Sequence, residues 1–94
     1  MATDLQAARL MLYDAARALD ANDPDRTKRS AMAKRFVTDT GFNVANEALQ
    51  IHGGYGYLQD YEVERMVRDL RVHQILEGTN EIMRVIIARH LLNA

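Results

Sequence analysis

An all-α fold, an antiparallel helical bundle, is what this sequence predicts, and three observations carry the expectation. One proline and five glycines punctuate 94 residues, so long stretches run without a breaker. Within those stretches apolar residues recur at three- and four-residue intervals, the period that lines one face of an α-helix. No repeat or low-complexity segment interrupts the pattern. At 10.7 kDa the chain has room for one hydrophobic core and therefore one domain. With 48% apolar and 27% charged residues and a mean hydropathy of -0.30, it has the composition of a folding globular chain.

The first helix is expected from about Thr3 to Ala21, with Leu5, Ala8, Leu12, Ala15, Ala16 and Leu19 on its apolar stripe. Thr3 and Gln6 have the spacing of a capping box. Asn22-Asp23-Pro24-Asp25 reads as a turn, with Asp23 as N-cap and Pro24 at the first helical position, where a missing N–H costs nothing. The second helix runs from there to about Ile51, with Met32, Phe36, Val37, Val44, Ala45, Ala48 and Leu49 inward, and Gly41 is its weak point. Gly53-Gly54-Tyr55-Gly56-Tyr57 ends it. Asp60 suits an N-cap for a short helix through Val63, Met66, Val67 and Leu70 to near Arg71, followed by a linker from Val72 to Leu76. The last helix opens at Glu77-Gly78-Thr79-Asn80-Glu81 and places Ile82, Val85, Ile86 and Arg89 on one face.

Composition removes several function classes. Twelve Lys and Arg against thirteen Asp and Glu leave a formal charge of -1, which gives no pull toward nucleic acid or anionic membrane. The cations of the second helix's early turns, Arg26, Lys28, Arg29, Lys34 and Arg35, read as a solvated face. Without cysteine there is no thiolate nucleophile, disulfide or Cys-bound zinc. His52, His73 and His90 have no i, i+3 or i, i+4 partners among themselves and no second ligand type in a zinc pattern, so no metal site is expected. The start Met1-Ala2-Thr3-Asp4 has no signal-peptide pattern, and no apolar run approaches the ~20 residues needed to span a bilayer.

Two segments carry candidate chemistry. Gly53-Gly54-Tyr55-Gly56 leaves backbone without side-chain cover, which suits either a helix-terminating turn or a phosphate cradle. Glu77, before Gly78-Thr79-Asn80, is either a group paired with the helix dipole or a general base, and Glu81 fits the capping role better.

Ala48-Leu49-Gln50-Ile51-His52-Gly53-Gly54-Tyr55-Gly56-Tyr57, then Val67-Arg68-Asp69, then Gln74-Ile75-Leu76-Glu77-Gly78-Thr79-Asn80-Glu81-Ile82 with Arg84, together resemble the C-terminal helical domain of the acyl-CoA dehydrogenases. The motifs stand in the family's order, and the 27 residues from Gln50 to Glu77 are similar to its spacing. Looser similarity through Met1-Ala2-Thr3 and Met32-Ala33-Lys34 extends the resemblance over essentially the whole chain. The wording around Gly53 looks most like the isobutyryl-CoA and related short branched-chain members.

The resemblance implies an FAD-dependent α,β-dehydrogenation of acyl-CoA thioesters, with Glu77 as the base that removes the α-proton. It implies that Thr79, Asn80 and Glu81 lie against FAD, and that Gln50, Ile51, His52, Gly53 and Gly54 contact the FAD of a neighbouring subunit. Gly78 and, more loosely, Arg89 are implied to face the substrate. The implied partners are acyl-CoA, an electron-transfer flavoprotein and further copies of the chain. Glu77 also separates the chain from long-chain and isovaleryl-type relatives, which keep their base on an earlier helix.

An intact member of the family carries an N-terminal helical domain, a β-domain and a first C-terminal-domain helix before the stretch that corresponds to Met1. The chain is thus expected to be a fragment, residues 1–94 of a helical domain, incomplete relative to the family's four-helix domain. The same comparison places Met1 to Thr3 inside a helix, against the capping box. An uncovered apolar stripe predicts self-association. The competing expectation is a non-catalytic helical module for oligomerisation or interaction, derived from that family. Bacterial cytoplasm is the expected location, or the mitochondrial matrix for a chain that has lost a presequence.

Overall fold

The computed structural model describes residues 1–93, and every regular element in that span is helical. α1 spans Ala2–Asp20, α2 Arg26–His52, α3 Val63–His73 and α4 Asn80–Leu92. Two 3-10 turns, Gly53–Tyr57 and Gln59–Tyr61, carry the chain from α2 to α3.

α2 is the axis. Its 27 residues extend about 40 Å at 1.5 Å per residue, nearly the length of a molecule measuring 49 × 22 × 18 Å. α1, α3 and α4 each pack on α2 and make no close backbone contact with one another. α1 folds back along the first half of α2, so that Leu12, Ala15, Ala16 and Leu19 flank a groove shared with Ser30, Ala33 and Val37. α4 starts beside Lys34 to Asp39 and runs toward the start of α2, ending with Ile87 and Leu91 near Lys28 and Met11. α3 lies against the second half: a Cβ on Gly41 would meet Leu70 Cδ2 at 3.7 Å. α2 therefore passes through Gly41 unbroken, its propensity cost of about 1 kcal/mol met by this packing.

Three helix starts differ from the sequence reading. Asp23 does not cap α2; its Oδ1 accepts from the Asp25 N–H at 2.7 Å, and Pro24 stays in the turn. The chain reverses through Asn22 at φ 50, with the Asp23 N–H bonded to Ala18 O at 2.9 Å, so the helix begins later, at Arg26. Asp60 falls within the second 3-10 turn, and α3 begins behind Glu62 at φ 60. α4 begins at Asn80, capped by Thr79, rather than at Glu77. At the other end of the chain, Thr3 lies inside α1, whose start has no side-chain cap.

The core is small. The buried apolar residues are Ala8, Ala15, Ala18, Ala31, Ala33 and Ala45, and no large side chain is fully buried. Alanines let α1 approach α2 closely, but Leu5, Leu12 and Leu19, expected inward, remain about half exposed. In α4 the inward positions are Asn80, Met83, Ile86, Ile87 and His90, while Ile82, Val85 and Arg89, assigned to one face with Ile86 above, are exposed. The residues that would bury most area therefore face outward. No helix among the described residues is long and apolar enough to cross a membrane.

Candidate functional site

After α3 the chain makes a final helical turn, with the Ile75 and Leu76 N–H groups both bonded to Val72 O at 2.9 Å. It then enters the left-handed region twice in succession, at Glu77 (φ 58) and Gly78 (φ 87). For a residue with a side chain this conformation costs on the order of 1–3 kcal/mol and persists only where the surroundings impose it. Thr79 returns to extended backbone and caps α4, its Oγ1 accepting from the Ile82 N–H at 3.3 Å. Glu77 is exposed. Among the described residues no hydrogen bond or ion pair engages its carboxylate, and none occupies its N–H.

What imposes the conformation is a polar network on α2. The Lys34 ammonium donates to Gly78 O at 2.8 Å and to Asn80 Oδ1 at 2.7 Å. Asn80, only 5% exposed, donates from Nδ2 to Asp39 Oδ1 at 2.6 Å and to Thr38 Oγ1 at 2.9 Å. Gln74 donates to the same Asp39 oxygen at 2.8 Å, and its carbonyl accepts the Asn80 N–H at 3.0 Å. The turn is held before and after the two left-handed residues. Of the N–H groups that begin α4, those of Asn80, Ile82 and Met83 are taken by Gln74 O, Thr79 Oγ1 and Thr79 O; that of Glu81 has no partner among the described residues and is open to a ligand. Beside this turn lies a polar hollow of about 210 Å³ lined by Asp39, Arg71, Gln74, Thr79, Glu81 and Arg84.

The glycine segment is built differently. Gly53 ends α2 at φ 63 and ψ -143, its N–H bonded to Gln50 O. Added Cβ atoms on Gly53 and Gly54 would meet nothing within 4 Å, whereas on Gly56 one would lie 2.9 Å from Leu49 O. Gly56 is thus a packing glycine, and Gly53-Gly54 is bare backbone facing outward. Gln50, Ile51 and His52 are exposed beside it; His52 Nδ1 donates to Ala48 O at 2.7 Å. Tyr55 and Tyr61 meet edge to face at 5.8 Å.

These two groups of candidate residues do not meet within one copy of the chain. Asp39, where the Glu77 turn is fastened, and Gly53 are fourteen positions apart on α2, about 21 Å along the helix. Arg89 is exposed in the last turn of α4, ten positions from Thr79 and about 15 Å away. Hydrogen bonding to Asp14 raises Arg29, and the Glu64–Arg68 hydrogen bonds lower Glu64 and raise Arg68.

The sequence profile of the family "Acyl-CoA dehydrogenase, C-terminal domain" matches residues 1–92. The chain belongs to the acyl-CoA dehydrogenase family. It is 56% identical over 92 residues to the mitochondrial isobutyryl-CoA dehydrogenase of Bos taurus, covering 98% of this chain and 22% of that protein. Its fold is that of butyryl-CoA dehydrogenase from Megasphaera elsdenii, with a TM-score of 0.92 and 40% identity over 98% of this chain and 24% of the other. It is equally that of a chain from a structural study of the electron-transferring flavoprotein of Acidaminococcus fermentans, with a TM-score of 0.94 and 44% identity over 100% of this chain and 24% of that one. The chain thus spans about a quarter of the length of these relatives.

Lys34, Thr38 and Asp39 were not among the site residues read from the sequence. Lys34 figured only in the basic face of α2 and in the looser family resemblance. Its link to Asn80 crosses 46 positions, a separation over which single-sequence periodicity carries no signal.

Proposed function

We propose that this domain supplies the catalytic base of an FAD-dependent acyl-CoA α,β-dehydrogenase, with Glu77 taking the α-proton of the thioester onto its carboxylate. The carrying observation is that Glu77 combines an exposed, unengaged carboxylate and an unoccupied N–H with a fastened left-handed backbone. A base must be accessible to its proton and fixed in position, and a free backbone donor beside it can stabilise the developing enolate oxygen. A closed, dry site would then remove the water that makes a carboxylate a weak base.

The residues fit the flavin nucleotide in two places. Gly53-Gly54 offers outward-facing backbone that a Cβ would cover, and the first turn of α4 offers the Glu81 N–H and the dipole of a 13-residue helix to a pyrophosphate. Thr79 and Glu81 would contact the FAD attached to this chain. Gln50, Ile51, His52, Gly53 and Gly54 would contact the FAD of a neighbouring copy, a division supported by their separation along α2. The chemistry that bound FAD would supply is that of a hydride acceptor for the β-hydrogen. Gly78 keeps the base's turn free of a side chain that would strike Met83, where an added Cβ would lie 2.8 Å from its methyl carbon. Arg89 stands too far from this turn to reach the reacting carbons and is assigned to a remote part of the CoA ester.

We assign the other components of the site to sequence corresponding to the remaining three quarters of the relatives, so the 94-residue chain alone is not catalytically competent. An electron-transfer flavoprotein is the proposed oxidant and a homo-oligomer the proposed assembly. A second reading, a non-catalytic oligomerisation module, draws on the alanine-only core and the exposed leucines of α1.

Two measurements test the proposal. In the dehydrogenase containing this domain, Glu77→Gln keeps FAD bound and lowers turnover by orders of magnitude, because an amide cannot accept the proton; near-normal turnover would place the base elsewhere. FAD binding by the isolated 94-residue chain is doubtful, so titration with light scattering on the same sample is decisive in one direction: saturable binding by an oligomer supports the proposal. An oligomer that binds no flavin favours the second reading.

A further inference from the structure

We infer that Asn80 is a positioning residue for Glu77, locking the base's turn onto α2 by holding its carboxamide between Lys34 and Asp39. The inference rests on the reading of Glu77 as the base, and it gives Asn80 a different task from the ligand contact that its place beside Thr79 suggests. Both ends of the carboxamide are committed inward: Oδ1 accepts from Lys34, and Nδ2 donates to Asp39 and Thr38. Its backbone N–H is committed as well, to Gln74 O at 3.0 Å. At 5% exposure it backs the polar hollow beside the turn with its polar atoms already engaged.

The arrangement is directional. Lys34 can only donate and an ionised Asp39 can only accept, so the residue between them must offer one acceptor and one donor on a short side chain. Asparagine does this and aspartate does not. The same ammonium binds Gly78 O at 2.8 Å, so the carboxamide and the carbonyl next to Glu77 share one charged anchor. Charge-assisted bonds of this kind are the stronger class, and leaving one partner unmatched in a buried site costs more than the bond itself contributes. Two consecutive left-handed residues, one of them not glycine, are thereby held where the free chain would relax.

The test uses the 94-residue chain and needs no turnover. Two readouts report on the turn: the strong intraresidue HN–Hα NOE that positive φ produces at Glu77, and hydrogen exchange at the Asn80 amide. Asn80→Asp preserves size but sets two carboxylates against each other at a contact now 2.6 Å long. It is expected to weaken the Glu77 NOE and speed Asn80 exchange about 10- to 100-fold, while the Asp23 amide, in the α1–α2 turn, is unchanged. The double variant Asp39→Asn with Asn80→Asp reverses donor and acceptor and leaves Lys34 served; Gln74, which donates to the same Asp39 oxygen, keeps a partner by turning its carboxamide so that Oε1 accepts from the new amide, and the double variant is expected to restore both signals. Unchanged exchange and NOE in Asn80→Asp overturn the inference, as does failure of the swap to restore them. If the single variant unfolds, recovery of the fold and the NOE in the double variant supports the inference, and its absence overturns it. Because both readouts are structural, a failed inference is distinguishable from a failed assignment of the base, which only Glu77→Gln turnover decides.

Discussion

The Glu77–Thr79 turn and the Gly53–Gly54 segment both break a helix with positive φ, yet they are supported in opposite ways. Around Glu77 the side chains of Lys34, Asp39, Gln74 and Asn80 hold the backbone from both sides. Around Gly53 and Gly54 nothing approaches the position of a Cβ. The first is preorganised by this chain alone. The second is uncovered backbone, the form that the proposed site across an interface requires. Preorganisation matters for the proposed base because misplacement by a fraction of an ångström slows proton transfer, whereas the proposed backbone cradle needs chiefly to stay uncovered.

The largest expected effect separates the two. Gly78→Ala places a side chain at φ 87 and 2.8 Å from the Met83 methyl carbon, and should destabilise the chain by about 1–3 kcal/mol. Gly54→Ala, with open space and no positive φ, should change stability by less than about 0.5 kcal/mol while weakening FAD binding or association between copies. Thermal unfolding and flavin titration of both variants check this. Equal destabilisation by the two would remove the distinction.

A smaller effect of opposite sign is expected at the base. Glu77→Gly relieves the left-handed penalty of about 1–2 kcal/mol and adds glycine's entropic cost of about 0.5–1 kcal/mol, for a net gain of up to about 1.5 kcal/mol. Denaturant unfolding measures it. A protein that becomes more stable on losing its proposed base is one in which the strain serves position rather than folding. A stability loss would instead mean that the Glu77 side chain holds the turn.

The unequal support also explains what could be read from the sequence. The long helices follow from the three- and four-residue spacing around Ala8, Ala15, Ala31 and Ala45, and the stop at Gly53 follows from glycine's freedom at φ 63. The caps at Asp23 and Asp60 were misplaced because a short acidic side chain before a helix serves a turn as readily as an N-cap. Asp23 closes an Asx turn, while Asp60 lies in a 3-10 turn. The candidate glutamate and glycines were visible as motifs, but the left-handed state of Glu77 was not, since nothing in a non-glycine residue announces φ 58. That state is written in Lys34 and Asp39, whose distance along the chain hides them from any local pattern. The outward leucines of α1 were assigned inward because a period identifies a stripe without saying whether a partner exists to cover it.

The smallest expected effect lies on α3, where support comes from a surface pair and not from a buried network. Arg68 donates to Glu64 from Nε at 2.7 Å and from Nη2 at 3.0 Å, and these hydrogen bonds hold the Glu64 carboxyl below the ordinary carboxylate range. Since its folded-state value is the lower one, the pair's contribution is complete above the unfolded carboxylate value and is lost as pH falls through the folded value. Amide exchange across α3, followed from about pH 6 to pH 3, should therefore accelerate relative to α1, and Arg68→Gln should abolish that difference. Arg68 is 68% exposed, so screening keeps the effect small and added salt should diminish it. The Asn80 anchorage, shielded from solvent, should keep its protection at the same salt. A pH response that persists in Arg68→Gln would assign the acid sensitivity of α3 to carboxylates other than Glu64.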